Sequence, residues 1–242
     1  MTTRIAMWSG PRNISTAMMR AWENRPDTHV IDEPFYAHYL KTTGIDHPMR
    51  EAVIASQPND WGEVVADITG PGPGGASIWY QKHMTHHMIP EVDRDWFRHV
   101  RHAFLIRDPS EMLASYAAKR TSVTPADLGA ELQAELYDEV VERTGQTPPV
   151  IDAADVLRSP EAMLRSLCDA LEVPFDDAMM AWPQGPRPTD GVWSAHWYAN
   201  VEASTGFRSY EPKTIDLPDN LEAIAEICRA PYRRLWRQRL LV

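Results

Sequence analysis

Cysteine is scarce in this chain: Cys168 and Cys228 are the only two in 242 residues. Two thiols so far apart build neither a disulfide framework nor a metal site, which points to a reducing compartment. Long apolar runs are also missing, and none approaches the ~20 residues that a bilayer span needs. The opening MTTRIAMWSG has no apolar core or small-residue cleavage site of the kind a secretory signal carries. These absences give the expectation of a cytoplasmic protein with no membrane partner. Positive charge is in short supply as well, with 24 Lys and Arg against 34 Asp and Glu and a net charge of −10. A nucleic-acid binder would show a basic face, so that partner class is set aside. Any anionic ligand must then be held by local cations and backbone amides, because the overall field opposes it.

What is present reads as one globular domain over residues 1–242, with 43% hydrophobic and 24% charged residues. There are no repeats and no low-complexity linker. The breaker-rich stretches GPGPGG (Gly70 to Gly75) and WPQGPRPTDG (Trp182 to Gly191) read as loops. Short apolar runs alternate with longer amphipathic ones, which predicts an α/β fold with a mostly parallel central sheet flanked by helices. The predicted strands are Arg4–Trp8, Thr28–Ile31, Ser77–Gln81, His102–Ile106 and Pro149–Asp152. Each is short and apolar, as buried parallel strands are.

Helix starts carry clearer marks. Asp108-Pro109-Ser110-Glu111 offers a cap, a proline for the first helical position and an acid three residues on. Thr124-Pro125 and Ser159-Pro160 repeat the device. The helices expected are Pro109–Lys119, Ala126–Arg143, Pro160–Leu171 and Asn220–Leu241, the last with a set of arginines near its end that suits a solvated face.

Chemistry concentrates first at Ser9–Thr16, SGPRNIST, between the first strand and a helix that continues through Ala17-Met18-Met19. A strand, a tight polar loop and a helix N-terminus together present unpaired N–H groups along the positive end of the helix dipole. Arg12 adds a forked cation, Ser15 and Thr16 add hydroxyls, and Asn13 and Ile14 complete the turn. A phosphate suits this loop. The Walker pattern G-x-x-x-x-G-K-[ST] is absent, so the lysine and metal-binding hydroxyl of a magnesium-nucleotide kinase are not in place.

A second anion corner comes from HAFLIRDPSEMLASY. It sets Arg107 at the carboxyl end of a buried strand, where open α/β sheets bind ligands. Ser115 follows eight residues later, two turns into the next helix. Alone, Arg107 has a duller use as an ion-pair partner of Asp108 or Asp152, and Ser115 as a small packing residue.

Taken together, SGPRNIST and RDPSEMLASY resemble the two phosphate motifs of the sulfotransferase family, a P-loop-like fold, with bacterial and carbohydrate-type members the nearest in pattern. IDEPFY (Ile31–Tyr36), WYQKHMTHH (Trp79–His87) and VIDAADVLRSPEAMLRSLCDALEVPFD (Val150–Asp176) follow in the order that family shows. The resemblance implies 3′-phosphoadenosine 5′-phosphosulfate (PAPS) as sulfuryl donor and adenosine 3′,5′-bisphosphate as the leaving product. It implies cofactor binding by Arg12, Asn13, Ile14, Ser15, Thr16, Arg107 and Ser115. Two departures stand out. Asn13-Ile14 replaces the usual Ser-Gly, and Ile14 is expected to hold ordinary helical angles. A Gly-x-Trp-Lys segment is missing after Gly185, where Arg208 or Lys213 offers a substitute.

The implied reaction is in-line attack on sulfur by a hydroxyl or amine of a small-molecule or carbohydrate acceptor. Such a transfer depends on positioning and charge stabilisation. Arg12 is the candidate for the bridging oxygen and 5′-phosphate, assisted by Lys82. Glu33 is the first candidate base, and His83 the second. His86 and His87 read as a surface pair, and His83-x-x-His86 lacks a third ligand for a metal. The cluster WSAHWY (Trp193–Tyr198), with His196 as its polar member, is the candidate acceptor wall; Trp8, Trp79 and Tyr80 read as core. A homodimer is carried as an expectation. Two other readings stay open on the residues alone: a divergent nucleotide kinase of the same fold, and a nucleotide-binding module that no longer transfers.

Overall fold

The computed structural model describes residues 2–117, 123–212 and 214–242. Five strands form an all-parallel sheet: β1 (Thr3–Ser9), β2 (Thr28–Asp32), β3 (Ile78–Met84), β4 (Arg101–Ile106) and β5 (Val150–Asp152), in the order β2-β3-β1-β4-β5. All five lie where the apolar runs predicted them, with ends shifted by a residue or a few. β1 is central and pairs with β3 on one side and β4 on the other. The chain therefore reverses its direction of winding at β1, and a crevice opens beyond its carboxyl end.

Strand side chains alternate between faces, and two cores follow from that period. Ile5 and Met7 of β1, with Tyr80 and Leu105, pack against Met18 and Trp22 of α1 (Ser15–Glu23) and Leu164 and Leu167 of α9 (Pro160–Ala170). Ala6 and Trp8, with Phe104 and Ile106, face the other way. They meet Ile68 of α4 (Trp61–Thr69), Leu136 and Tyr137 of α7 (Ala130–Thr144) and Leu235 of α12 (Asp219–Trp236).

The helices refine the sequence reading. α5 is described over Pro109–Ala117, and Lys119, where the predicted helix ends, lies outside the described residues. The expected helix Ala126–Arg143 is two helices, α6 (Pro125–Leu128) and α7, because Gly129 turns left-handed at φ 66° and ends the first. The last helix stops at Trp236, five residues short of the expected Leu241. Its arginines are not merely solvated, since Arg234 pairs with Asp138 of α7, and Arg239 with Asp155 at 2.8 Å in α8 (Ala153–Arg158). The stretch after β2 also holds α2 (Tyr36–Thr43) and α3 (Arg50–Ser56), which no breaker pattern marked. In the Trp193–Tyr198 region lie α10 (Ser194–Trp197) and α11 (Ala199–Glu202). Among the described residues no helix is long and apolar enough to cross a membrane.

Candidate active site

The loop after β1 makes a sharp entry into α1. Gly10 is held against α6: a Cβ there would sit 2.7 Å from the Leu128 carbonyl oxygen. Arg12 (φ 57°) and Ile14 (φ 49°, ψ 12°) both take left-handed backbone angles. This corrects the expectation of helical angles at Ile14, whose β-branched side chain disfavours that region. The first bond of the helix runs from Met18 N–H to the Ile14 carbonyl, so the N–H groups of Ser15, Thr16 and Ala17 have no helical partner. No acidic side chain occupies the first turn and no side chain caps it.

Arg12 and Arg107 share one cleft of about 450 Å³, which Ser15, Thr16 and Ser115 also line. Arg12 Nε donates to Ser115 Oγ at 3.1 Å, and Arg107 Nη1 donates to the Arg12 carbonyl at 2.6 Å. Arg107 pairs with Glu111 at 3.0 Å rather than with Asp108 or Asp152. No carboxylate pairs with Arg12 among the described residues. Burial, and then the like charge of Arg107, lower the Arg12 pKa from its ordinary value. Two cations thus crowd one corner of an acidic chain. Asn13 contributes its backbone to the loop, but its side chain turns inward and donates to the Leu105 carbonyl at 2.6 Å.

The same cleft is lined by Glu33, also left-handed at φ 46°, one residue past β2. Its Oε1 accepts from Lys82 Nζ at 2.5 Å. Lys82, 1% exposed, also donates to Asp32 Oδ1 at 2.8 Å and to the Tyr198 hydroxyl at 2.8 Å. Burial pushes the Glu33 carboxyl up to about 7, against the opposing pull of Lys82. Burial also acts to lower the pKa of Lys82, but the carboxylates of Asp32 and Glu33 outweigh it and hold the ammonium well above its usual range.

The strand period separates the two expected β3 residues. Lys82 shares the α1-side face with Tyr80 and lines the cleft. Its three donors go to Asp32, Glu33 and Tyr198, which corrects its expected role as assistant to Arg12. His83 points to the other face. There His83 stacks on Trp8 at 4.6 Å and bonds Gln81, and burial lowers its pKa to about 3. His83 does not line the cleft, and it is withdrawn as the second candidate base. Trp8, Trp79 and Tyr80 are core, as their burial preference predicted.

Two further corrections concern histidines. His87 is no surface residue: at 3% exposure it lies between the rings of Tyr36 (4.5 Å) and Tyr39 (4.9 Å). Its Nε2 is 4.0 Å from Glu33 Oε2, and burial, then His86, keeps the ring neutral by lowering its pKa well below the ordinary value. His196 is exposed and turned away, while its neighbours Trp193, Trp197 and Tyr198 do line the cleft. Arg208 lines it too, and Lys213 lies outside the described residues. Sequence reasoning missed Asp32, Tyr36 and His87 around Glu33. Asp32 was detectable as a charged residue directly after the predicted strand Thr28–Ile31 and before Glu33.

Comparison with known proteins fits this geometry. A family profile described as "Sulfotransferase domain" matches residues 3–231. Two proteins of Arabidopsis thaliana, branched-chain-amino-acid aminotransferase-like proteins 2 and 1, are 37% and 38% identical to it over 215 residues. The match covers 88% of this chain but 38% of each relative, so the chain spans well under half their length. The chain is similar in fold to a sulfotransferase domain from the curacin biosynthetic pathway (TM-score 0.55, 17% identity, covering 95% of this chain and 97% of that one). It is likewise similar to a sulfotransferase from Alicyclobacillus acidocaldarius (TM-score 0.57, 12% identity, 99% and 98% covered).

Proposed function

This chain belongs to the sulfotransferase domain family, and from that premise we propose that it moves a sulfuryl group from PAPS to a hydroxyl or amine of a small-molecule or carbohydrate acceptor. The observation that carries the reading is the placement of Arg12, with no carboxylate partner among the described residues, beside Arg107 in the cleft that also holds the α1 N-terminus and Glu33. A polyanion relieves the repulsion between those two cations. A neutral ligand leaves it in place. The donor set therefore fits a doubly phosphorylated nucleoside: the Arg107 and Ser115 corner for one phosphate, and Arg12 with the Ser15, Thr16 and Ala17 amides for the other.

When bound, the cofactor supplies an activated sulfuryl group with a good leaving group. The chain's own residues do the rest. Glu33 accepts the proton of the acceptor on Oε2, the oxygen that Lys82 does not occupy. A base whose pKa sits near neutrality is matched to that role. PAPS held in the cleft would supply the sulfuryl group to the acceptor and leave through its 5′-phosphate oxygen, and Arg12 would offset the charge that develops on that oxygen. The aromatic wall of Tyr36, Trp193 and Trp197 shields the site from water.

Thermal-shift titration with adenosine 3′,5′-bisphosphate, ATP and AMP tests the reading. The bisphosphate is expected to stabilise the protein most. Replacing Arg107 by Ala is expected to weaken it by roughly ten- to a hundredfold, the worth of a hydrogen bond to a charged group, with AMP less affected. Equal losses for both ligands would remove Arg107 from the second phosphate. PAPS turnover with a panel of phenols, alcohols, amines and sugars then reports transfer itself.

A further inference from the structure

Five polar groups behind Glu33 form a hydrogen-bond circuit with no spare member. An ammonium has three donors, and those of Lys82 go to Asp32 Oδ1 (2.8 Å), Glu33 Oε1 (2.5 Å) and the Tyr198 hydroxyl (2.8 Å). A phenol has one donor and two acceptor sites. Tyr198 spends its donor on Asp32 Oδ2 at 2.7 Å and accepts from Lys82 and from Trp193 Nε1 at 3.1 Å. Gly191 N–H gives Asp32 Oδ2 its second bond at 3.2 Å. Trp193, Tyr198, Asp32 and Lys82 are all 5% exposed or less. Glu33 lines the cleft, and its Oε2 is not held by Lys82, with His87 Nε2 4.0 Å away.

We propose that Tyr198 is a positioning residue for Glu33: its hydroxyl satisfies Asp32, so that Lys82 is left to hold Glu33 by one oxygen and present the other to the acceptor. The proposal rests on the reading of Glu33 as the base. Two carboxylates compete for one buried ammonium, and Tyr198 is the neutral donor that settles the division. The residue arrives from far along the chain, between α10 and α11, in the segment that walls the acceptor side. A merely structural tyrosine needs no such bonding pattern.

The groups facing Glu33 come from every element around it: Asp32 from β2, Lys82 from β3, His87 from the turn after β3, Tyr36 from α2 and Tyr198 from the acceptor wall. Of these, Tyr198 to Phe removes the hydroxyl and leaves the ring. Asp32 then keeps the Gly191 N–H but loses its phenol donor and draws more on Lys82, Glu33 loses part of that ammonium, and its neutral form gains.

The experiment is an infrared titration of the protonated-carboxyl band in the whole chain, with Glu33→Gln identifying the band. In Tyr198→Phe the Glu33 titration is expected to move up by about one pH unit, the size of shift that loss of a neighbouring charge produces. Trp193→Phe, which only weakens the phenol as a donor, is expected to move it less and in the same direction. Circular dichroism verifies that each variant folds, and Trp193→Phe carries the test if Tyr198→Phe does not. A band that stays put or moves down in the folded variants, while Glu33→Gln abolishes PAPS turnover, would overturn the Tyr198 role alone. Undiminished turnover in Glu33→Gln would remove the base reading, and this proposal with it.

Discussion

Replacing Glu33 by Gln is expected to make the protein more stable at neutral and alkaline pH while it stops the chemistry. The physical reason lies in the burial of the carboxyl, whose pKa rises from the ordinary 4.5 to about 7. An acid with a raised folded-state pKa contributes its full stability below the unfolded value. It loses that stability as pH climbs through the folded one. Across the window from about 4.5 to 7, each pH unit removes about 1.4 kcal/mol, so ionised Glu33 carries a penalty of roughly 3 kcal/mol once pH exceeds 7. Gln is nearly isosteric with the neutral acid and still accepts from Lys82, yet it does not ionise. Lys82 leaves the slope unaltered in this window, because its own folded pKa lies well above its usual value. The two proteins should therefore match below about pH 4.5 and diverge above it, with the variant melting higher by ~2–4 °C per kcal/mol for a chain of this size. Thermal unfolding of both proteins from acid to mildly alkaline pH measures the difference, and PAPS turnover at each pH measures the other half. Parallel stability curves would refute the raised carboxyl. A variant less stable than the parent above pH 7 would show that the Lys82 ion pair outweighs burial.

Two other substitutions separate cleft from scaffold. His83→Phe, on the far face of the sheet, should keep PAPS turnover within about threefold of the parent, since the ring stacks on Trp8 and touches no reacting group; a drop of a hundredfold or more in steady-state rate would return His83 to the chemistry. Gly10→Ala should destabilise the chain by about 1–3 kcal/mol in urea unfolding, because the new Cβ would lie 2.7 Å from a backbone oxygen that cannot rotate away.

The sheet was legible because its signals are local and strong. Each strand is a short apolar run, and Ile5, Met7, Ala6 and Trp8 sort to their faces by the period of two alone. The same period, applied to β3, separates Lys82 from His83, and naming both as site residues ignored it. Arg12 and Arg107 stood out at a loop-to-helix start and a strand end, whereas the role given to Ser115 came from pairing the two motifs, and the structure brings all three to one cleft. The network around Glu33 was not. Asp32 and Tyr198 are 166 residues apart, and no local pattern announces that a tyrosine near a Pro-rich loop will meet the end of the second strand. His87 was misjudged for a related reason: Tyr36 and Tyr39 enclose it from α2, about 50 residues earlier in the chain.

The positions of backbone strain tie the loop after β1 and the turn after β2 to one design. Among the described residues the non-glycine left-handed backbones are Arg12, Ile14, Glu33, Met49 and Glu172, and the first three line the cleft. Each such residue costs on the order of 1–3 kcal/mol and persists only where its surroundings over-determine it. At Ile14 the resembling motif carries glycine, which takes that conformation without a Cβ penalty. This chain keeps the conformation and accepts the strain, with the side chain packed on the α1-side core. The left-handed turn leads directly into Ser15, Thr16 and Ala17, which line the cleft and whose N–H groups have no helical partner. Glu33 obeys the same logic after β2. An extended residue there would continue the strand and follow its alternation, whereas the left-handed turn lets Asp32 and Glu33, adjacent in sequence, both reach the single ammonium of Lys82.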